Sequence, residues 1–222
     1  MDAVRYPTDV TEVTPGLDPR IRRFRCDDEV DTFVVATERW LVIVDTHSTP
    51  ALALQLAEQC VGPGDAGRLI VVNTHADYDH AWGNQVFSGT GAVHPAPIIG
   101  HLLCAERLSG ADAVASRAKM ELEQPGRFDS LVLTPPNLAV GDDGLTIDGG
   151  DLTLTLVHTP GHTEDHFSVW IPELRIVLAG DAAELPPRVP CGCARGEREA
   201  LARRVTGFSR PPGFRTSDRS RP

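Results

Sequence analysis

The stretch LIVVNTHADYDH, residues 69–80, decides the reading of this chain. Leu69–Val72 is wholly apolar and of strand length, which fits the middle of a sheet covered on both faces. Four polar side chains then follow within six residues: His75, Asp77, Asp79 and His80. In extended backbone, residues two apart face the same side, so His75 and Asp77 can point into one cavity. A turn into a helix near Asp79 brings Asp79 and His80 to a neighbouring point, and a helix start favours the Asp79 charge. Two imidazoles and two carboxylates suit borderline or hard divalent ions such as Zn²⁺, Fe²⁺ or Mn²⁺. Single His and Asp residues are also common in turns, so this segment alone leaves a polar, capped strand-to-helix turn equally open.

A second cluster lies far along the chain. Thr159-Pro160-Gly161-His162 follows an apolar strand pattern. Proline stiffens that loop and glycine permits a tight turn, so His162 is held within a narrow range of positions, as a metal ligand must be. Asp181 ends another apolar run, with Gly180 just before it. A carboxylate at such a strand end can bridge two cations.

Together, THADYDHAWGN (residues 74–84), HTPGHT (158–163) and LAGD (178–181) resemble the signature of the metallo-β-lactamase fold superfamily. The similarity covers residues 21–181 and implies an α+β fold, an αβ/βα sandwich whose second half is incomplete here. It implies a site for one or two metal ions, zinc by preference, with Mn²⁺ or Fe²⁺ also accommodated. By this resemblance His75, Asp77 and His162 hold the first ion, Asp79 and His80 the second, and Asp181 bridges them. Asp79 also orients the attacking water or acts as its base. The implied activity is a metal-dependent hydrolase that uses a metal-activated water on an ester, thioester, lactone or lactam. Two alternatives stay open: a non-catalytic or degenerate metal-binding protein, and a non-haem iron redox member of the same fold.

The chain departs from that signature twice. Asp77 stands where the superfamily usually has a second histidine, which adds negative charge and hardens the site toward Mn²⁺ or Fe²⁺. The signature's final histidine has no counterpart, since none of the eight histidines follows Asp181. Residues 182–222 hold nine arginines against four acidic residues, a net +5, while residues 1–181 carry −15. We expect an N-terminal lead-in over residues 1–20, a domain over 21–181, and a basic Pro/Arg-rich tail over 182–222. The tail has the look of a shifted reading frame or a grafted extension, disordered or poorly packed apart from one weak helix at Arg198–Val205.

Other residues near these motifs have possible roles. His166 reads as an orienting or substrate contact, and His47, after Asp45-Thr46, as facing the same cavity. Tyr78 and Trp82 flank the first motif and either wall the pocket or pack in the core. Gly83 and Asn84 lock the turn. His158 reads as structural, and His94 and His101 belong to no evident constellation.

Elsewhere, Ile21–Arg25, Asp31–Thr37 and Trp40–Val44 read as antiparallel strands, and Thr49 caps a helix that opens at Pro50 and stops at Gly62-Pro63-Gly64. Gly91–His94 reads as a strand, 97–123 as a helix broken near Gly110, and 125–144 as loop. Leu145–Ile147, Leu152–Val157, Phe167–Ile171 and Arg175–Leu178 complete the expected strands.

Composition sets the outer bounds. With 222 residues, 41% of them hydrophobic, the chain can bury a real core. A formal charge of −10 argues against a nucleic-acid partner, and no nucleotide-binding glycine motif is present. Cys26, Cys60, Cys104, Cys191 and Cys193 form neither a disulfide framework nor a four-thiolate site. No apolar run approaches the roughly 20 residues that span a bilayer, and MDAVRYPTDV lacks a signal peptide's apolar region. The expectation is a cytoplasmic protein acting on a small-molecule substrate, with no nucleic-acid or membrane partner.

Overall fold

The computed structural model of the chain describes residues 6–13 and 18–183. The tail expectations, including the helix at 198–205 and Cys191 and Cys193, lie outside the described residues. Two sheets face one another. The larger has seven strands in chain order: β1 (Thr11–Val13), β2 (Ile21–Cys26), β3 (Val30–Ala36), β4 (Leu41–Val44), β5 (Leu69–Val72), β6 (Ile98–His101) and β7 (Leu138–Val140). β1 to β4 pair antiparallel, and β4 to β7 pair parallel. The smaller sheet runs β11 (Ile176–Leu178), β10 (Phe167–Ile171), β9 (Thr153–His158), β8 (Leu145–Asp148), all antiparallel.

The apolar runs of β4 and β5 show why the fold needs two covers. Leu41, Ile43, Leu69 and Val71 pack with Leu52 and Leu56 of helix α1 (Pro50–Cys60). Val42, Val44, Ile70 and Val72 turn the other way and pack on Leu154, Leu156, Phe167 and Val169 of the smaller sheet. Period-two alternation therefore sends every other side chain of an unbroken apolar strand into a different core. Thr49 caps α1, its hydroxyl accepting from the Leu52 N–H at 3.3 Å.

The strand expected at Gly91–His94 is a turn, closed by Val93 and His94 N–H groups donating to the Val86 carbonyl. The stretch expected to be helix from 97 starts instead with β6, because Ile98 and Ile99 extend the parallel ladder opposite Val71 and Val72. Gly100 is required there, since a Cβ would lie 2.6 Å from the Pro136 ring. Helices α3 (Leu102–Ser109) and α4 (Ala111–Glu123) follow, broken at Gly110 as expected. Within the expected loop, β7 adds a short edge strand on β6. No helix among the described residues is long and apolar enough to cross a membrane.

Candidate metal centre

Every sequence-predicted ligand comes from a loop or short helix at a strand end. β5 leads into Asn73–Asp77 and then the one-turn helix α2 (Tyr78–Ala81), which carries Asp79 and His80. β9 leads into the loop bearing His162, and β11 into the 3-10 turn Gly180–Ala183 bearing Asp181. The loop after β9 is pinned at its base: Thr159 N–H donates to the His166 carbonyl at 2.8 Å.

These segments converge. Asp77 Oδ2 lies 3.2 Å from His162 Nε2 and 3.4 Å from His75 Nε2. Asp181 Oδ2 lies 3.4 Å from His162 Nε2 and 3.9 Å from His75 Nε2. The other Asp181 oxygen, Oδ1, is 3.2 Å from His80 Nε2, and Asp79 Oδ2 is 3.7 Å from that same nitrogen. Asp181 thus stands between two donor groups, one oxygen toward each.

The donor set fits a cation. His75 Nε2 and His80 Nε2 are buried and have no hydrogen-bond partner. Each ring is held from behind so that this nitrogen is bare. His80 Nδ1–H donates to Asp45 Oδ2 at 2.8 Å. Thr74 Oγ1 donates to the same carboxylate and accepts a hydrogen bond from His75 Nδ1–H at 3.0 Å. Buried lone pairs without a donor are costly unless a cation or proton meets them. Tetrahedral zinc with nitrogen and oxygen ligands at about 2.0–2.1 Å sets donors roughly 3.3 Å apart. The four distances around Asp77 Oδ2 and Asp181 Oδ2 bracket that spacing.

The charges are coupled across the same residues. Burial works against ionised Asp181, but the 3.2 Å approach of His80 Nε2 and the nearby imidazoles of His75 and His162 bring it down to about 2. Burial likewise opposes ionised Asp77, yet His162, His75 and Arg107 hold it well below the usual carboxylate range. His80 is disfavoured as a cation by burial, but Asp45 and Asp181 outweigh this and hold its pKa well above the ordinary value. Burial raises Asp79 to about 6, with His80 pulling it down and Asp181 pushing it up.

His166 also sits close in. The His166 ring centroid is 5.2 Å from that of His75, and Thr159 Oγ1 meets its Nδ1 at 2.9 Å. Its Nε2 is buried without a partner, and a Cβ on Gly180 would lie 2.9 Å from it. Burial, then the His75 charge, lowers His166 to about 3. His47 is wholly buried with both ring nitrogens unpartnered. Burial lowers it to about 4.

Tyr78 packs with Trp82 and Phe128, and its hydroxyl donates to Glu29 Oε1 at 3.0 Å. Asn84 ties the turn to its surroundings through Asn73, Thr46 and the Thr134 carbonyl. Gly83 is required because a Cβ would lie 2.0 Å from the Thr46 carbonyl oxygen.

Three features escaped the sequence reading. Asp45, at φ +70°, orients His80 from a position 35 residues earlier. Arg107 on α3 donates to Asp77 Oδ1 at 2.6 Å and also reaches Asp165. His101, expected to belong to no constellation, stacks on His158 at 4.4 Å and meets Asp142 Oδ1 at 3.1 Å. The strand-end position of Asp45 was the one usable signal among them.

The family model of the metallo-beta-lactamase superfamily matches residues 27–213. The chain belongs to that superfamily. Among curated relatives of this metallo-beta-lactamase superfamily member, a hydroxyacylglutathione hydrolase of Rhodospirillum rubrum is 26% identical over 174 residues, 75% of this chain and 54% of that protein. The hydroxyacylglutathione hydrolase of Erythrobacter litoralis is 30% identical over 124 residues, 55% of this chain and 35% of its own length. A 40-residue stretch is 50% identical to the beta-lactamase-like protein 2 homolog of Caenorhabditis elegans, covering 14% of that protein. The chain therefore spans 54% or less of these three relatives. Among solved structures, a metallo-beta-lactamase from Pontibacter korlensis superposes with TM-score 0.62 at 14% identity, over 89% of this chain and 87% of that one. The DIM-1 metallo-beta-lactamase exposed to ceftazidime gives 0.63 at 15% identity, over 91% and 87%. These likenesses show the sandwich fold.

Proposed function

We propose that this protein is a metal-dependent hydrolase of acyl compounds, with His75, Asp77, Asp79, His80, His162 and Asp181 as its ion-binding residues and one or two zinc ions as the resident metal. The observation that carries the reading is the convergence of buried, donorless Nε2 atoms on His75 and His80 with the two oxygens of Asp181. A divalent cation bound there would polarise a carbonyl and acidify water near neutral pH.

The chain's own residues do the rest. Asp45 and Thr74 fix the tautomers of His80 and His75, so both rings present lone pairs inward. Asp79 faces the His80 side of the cluster, where its carboxylate can orient water and take its proton. His162, a third exposed, sits at the open side of the donor set, where a small-molecule substrate enters. Two relatives named for hydrolysis of a hydroxyacylglutathione make acyl transfer to water the reaction class to test first.

The test is elemental analysis of the purified full chain, run beside a panel of esters, thioesters, lactones and lactams. We expect at least one tightly held divalent ion per chain and turnover of at least one acyl class. His75→Ala and His162→Ala should each lower metal content and abolish turnover. Metal content unchanged by both substitutions overturns the reading.

A further inference from the structure

Arg107 changes what Asp77 offers to a cation. Asp77 occupies the place of a histidine in the superfamily signature, and its two oxygens have different neighbours. Oδ2 faces His162 and His75. Oδ1 faces away and accepts from Arg107 Nη2 at 2.6 Å. The other Arg107 nitrogen, Nη1, reaches Asp165, which is wholly buried. The second oxygen of Asp165 accepts from the backbone N–H of Ala76 at 2.8 Å, between the two ligand positions His75 and Asp77. Arg107 and Asp165 therefore brace both the backbone and the side chain of the first motif from behind.

A free carboxylate gives a metal two oxygens and a full negative charge, which suits hard, oxygen-seeking ions. An imidazole gives one atom and no charge. With Oδ1 sealed by a guanidinium, Asp77 gives one atom and a charge shared with a cation. We infer that Arg107 is a positioning residue that makes Asp77 act as a one-atom, charge-compensated donor and so holds the site's preference on Zn²⁺ over Mn²⁺. This counters the hardening expected from Asp77 alone, and it rests on the metal-site reading above.

The experiment is a cycle of four full-length proteins: the parent, Arg107→Met, Asp77→His, and the double variant. Dissociation constants for Zn²⁺ and Mn²⁺ are measured separately by competition with a chromophoric chelator, so no turnover enters the readout. In the Asp77 background, Arg107→Met should narrow the Zn²⁺-over-Mn²⁺ preference about tenfold, because the freed oxygen favours the harder ion. In the Asp77→His background the same change should leave the preference unaltered. Arg107→Lys is the second variant, should loss of the buried Asp165 partner prevent Arg107→Met from folding. One ammonium cannot span two carboxylates, so it should narrow the preference in the same direction by a smaller factor. A preference unchanged by either substitution, or changed equally in both backgrounds, overturns the inference. A parent that binds neither ion overturns the metal-site reading itself.

Discussion

Asp45→Asn tests whether the ring-orienting hydrogen bonds set metal affinity. Asp45 is nearly fully buried and accepts three hydrogen bonds: Thr74 N–H at 2.7 Å, Thr74 Oγ1 at 2.8 Å and His80 Nδ1 at 2.8 Å. Asparagine is nearly isosteric and tolerates the φ of +70° found here. Its carbonyl can keep the Thr74 N–H, but its amide must take the place of Oδ2. That amide donates, so His80 can satisfy it only by moving its proton from Nδ1 to Nε2. The nitrogen aimed at Asp181 then carries hydrogen and has no lone pair for a cation. Loss of one charge-assisted bond costs roughly 1.5–3 kcal/mol of stability. Loss of an orienting partner lowers metal affinity about 10–100-fold. Chelator competition gives the zinc affinity, thermal melting the stability, and long-range ¹H–¹⁵N spectra the tautomer. Zinc affinity within about twofold of the parent, with His80 still protonated at Nδ1, refutes the argument.

The wholly buried His47 should make the fold acid-sensitive. Its folded pKa of about 4 lies below the unfolded value of about 6.5, so the unfolded chain takes up a proton that the fold refuses. The stability is present above pH 6.5 and is lost as pH falls toward 4, by about 3 kcal/mol. His47→Asn tolerates the φ of +62° and removes the titration, so the variant should gain on the parent by that amount between pH 7 and 4. Denaturant unfolding at both pH values checks this, and a difference independent of pH refutes it. Glu29 and Arg127 form a nearly buried pair at 2.6 Å that also binds Ser48 and Tyr78. Glu29→Met should cost about 3–5 kcal/mol by stranding the guanidinium, and adding Arg127→Met should recover most of it. Equal destabilisation by the single and double variants would count against the pair's charge as the cause.

The legible parts of this chain were those whose meaning is local. The run Leu69–Val72 marked a central strand because an unbroken apolar strand needs burial on both faces. The spacing of His75, Asp77, Asp79 and His80 carried its geometry within itself, and the fold gathers all four around His162 and Asp181. β6 was hidden because Ile98–His101 passes directly into α3 with no break between strand and helix. β7 was hidden because three residues pair only through a partner about 40 positions earlier. Arg107 was illegible for the same reason, and Asp45 offered only its strand-end position as a hint. One helix cation and one strand-end acid acquire meaning only when residues 30 and 35 positions away arrive beside them.

The donors of the candidate centre straddle both sheets. His75 to His80 hang from the larger, while His162 and Asp181 hang from the smaller. A growing chain exposes the first motif long before strand β11 exists, and its histidines can catch a stray ion only loosely. Full coordination must wait until both halves dock, late in a fold whose central parallel pairing is itself slow to form. Tight capture of an ion during refolding would thus serve as a clock that rings only when the sandwich has closed.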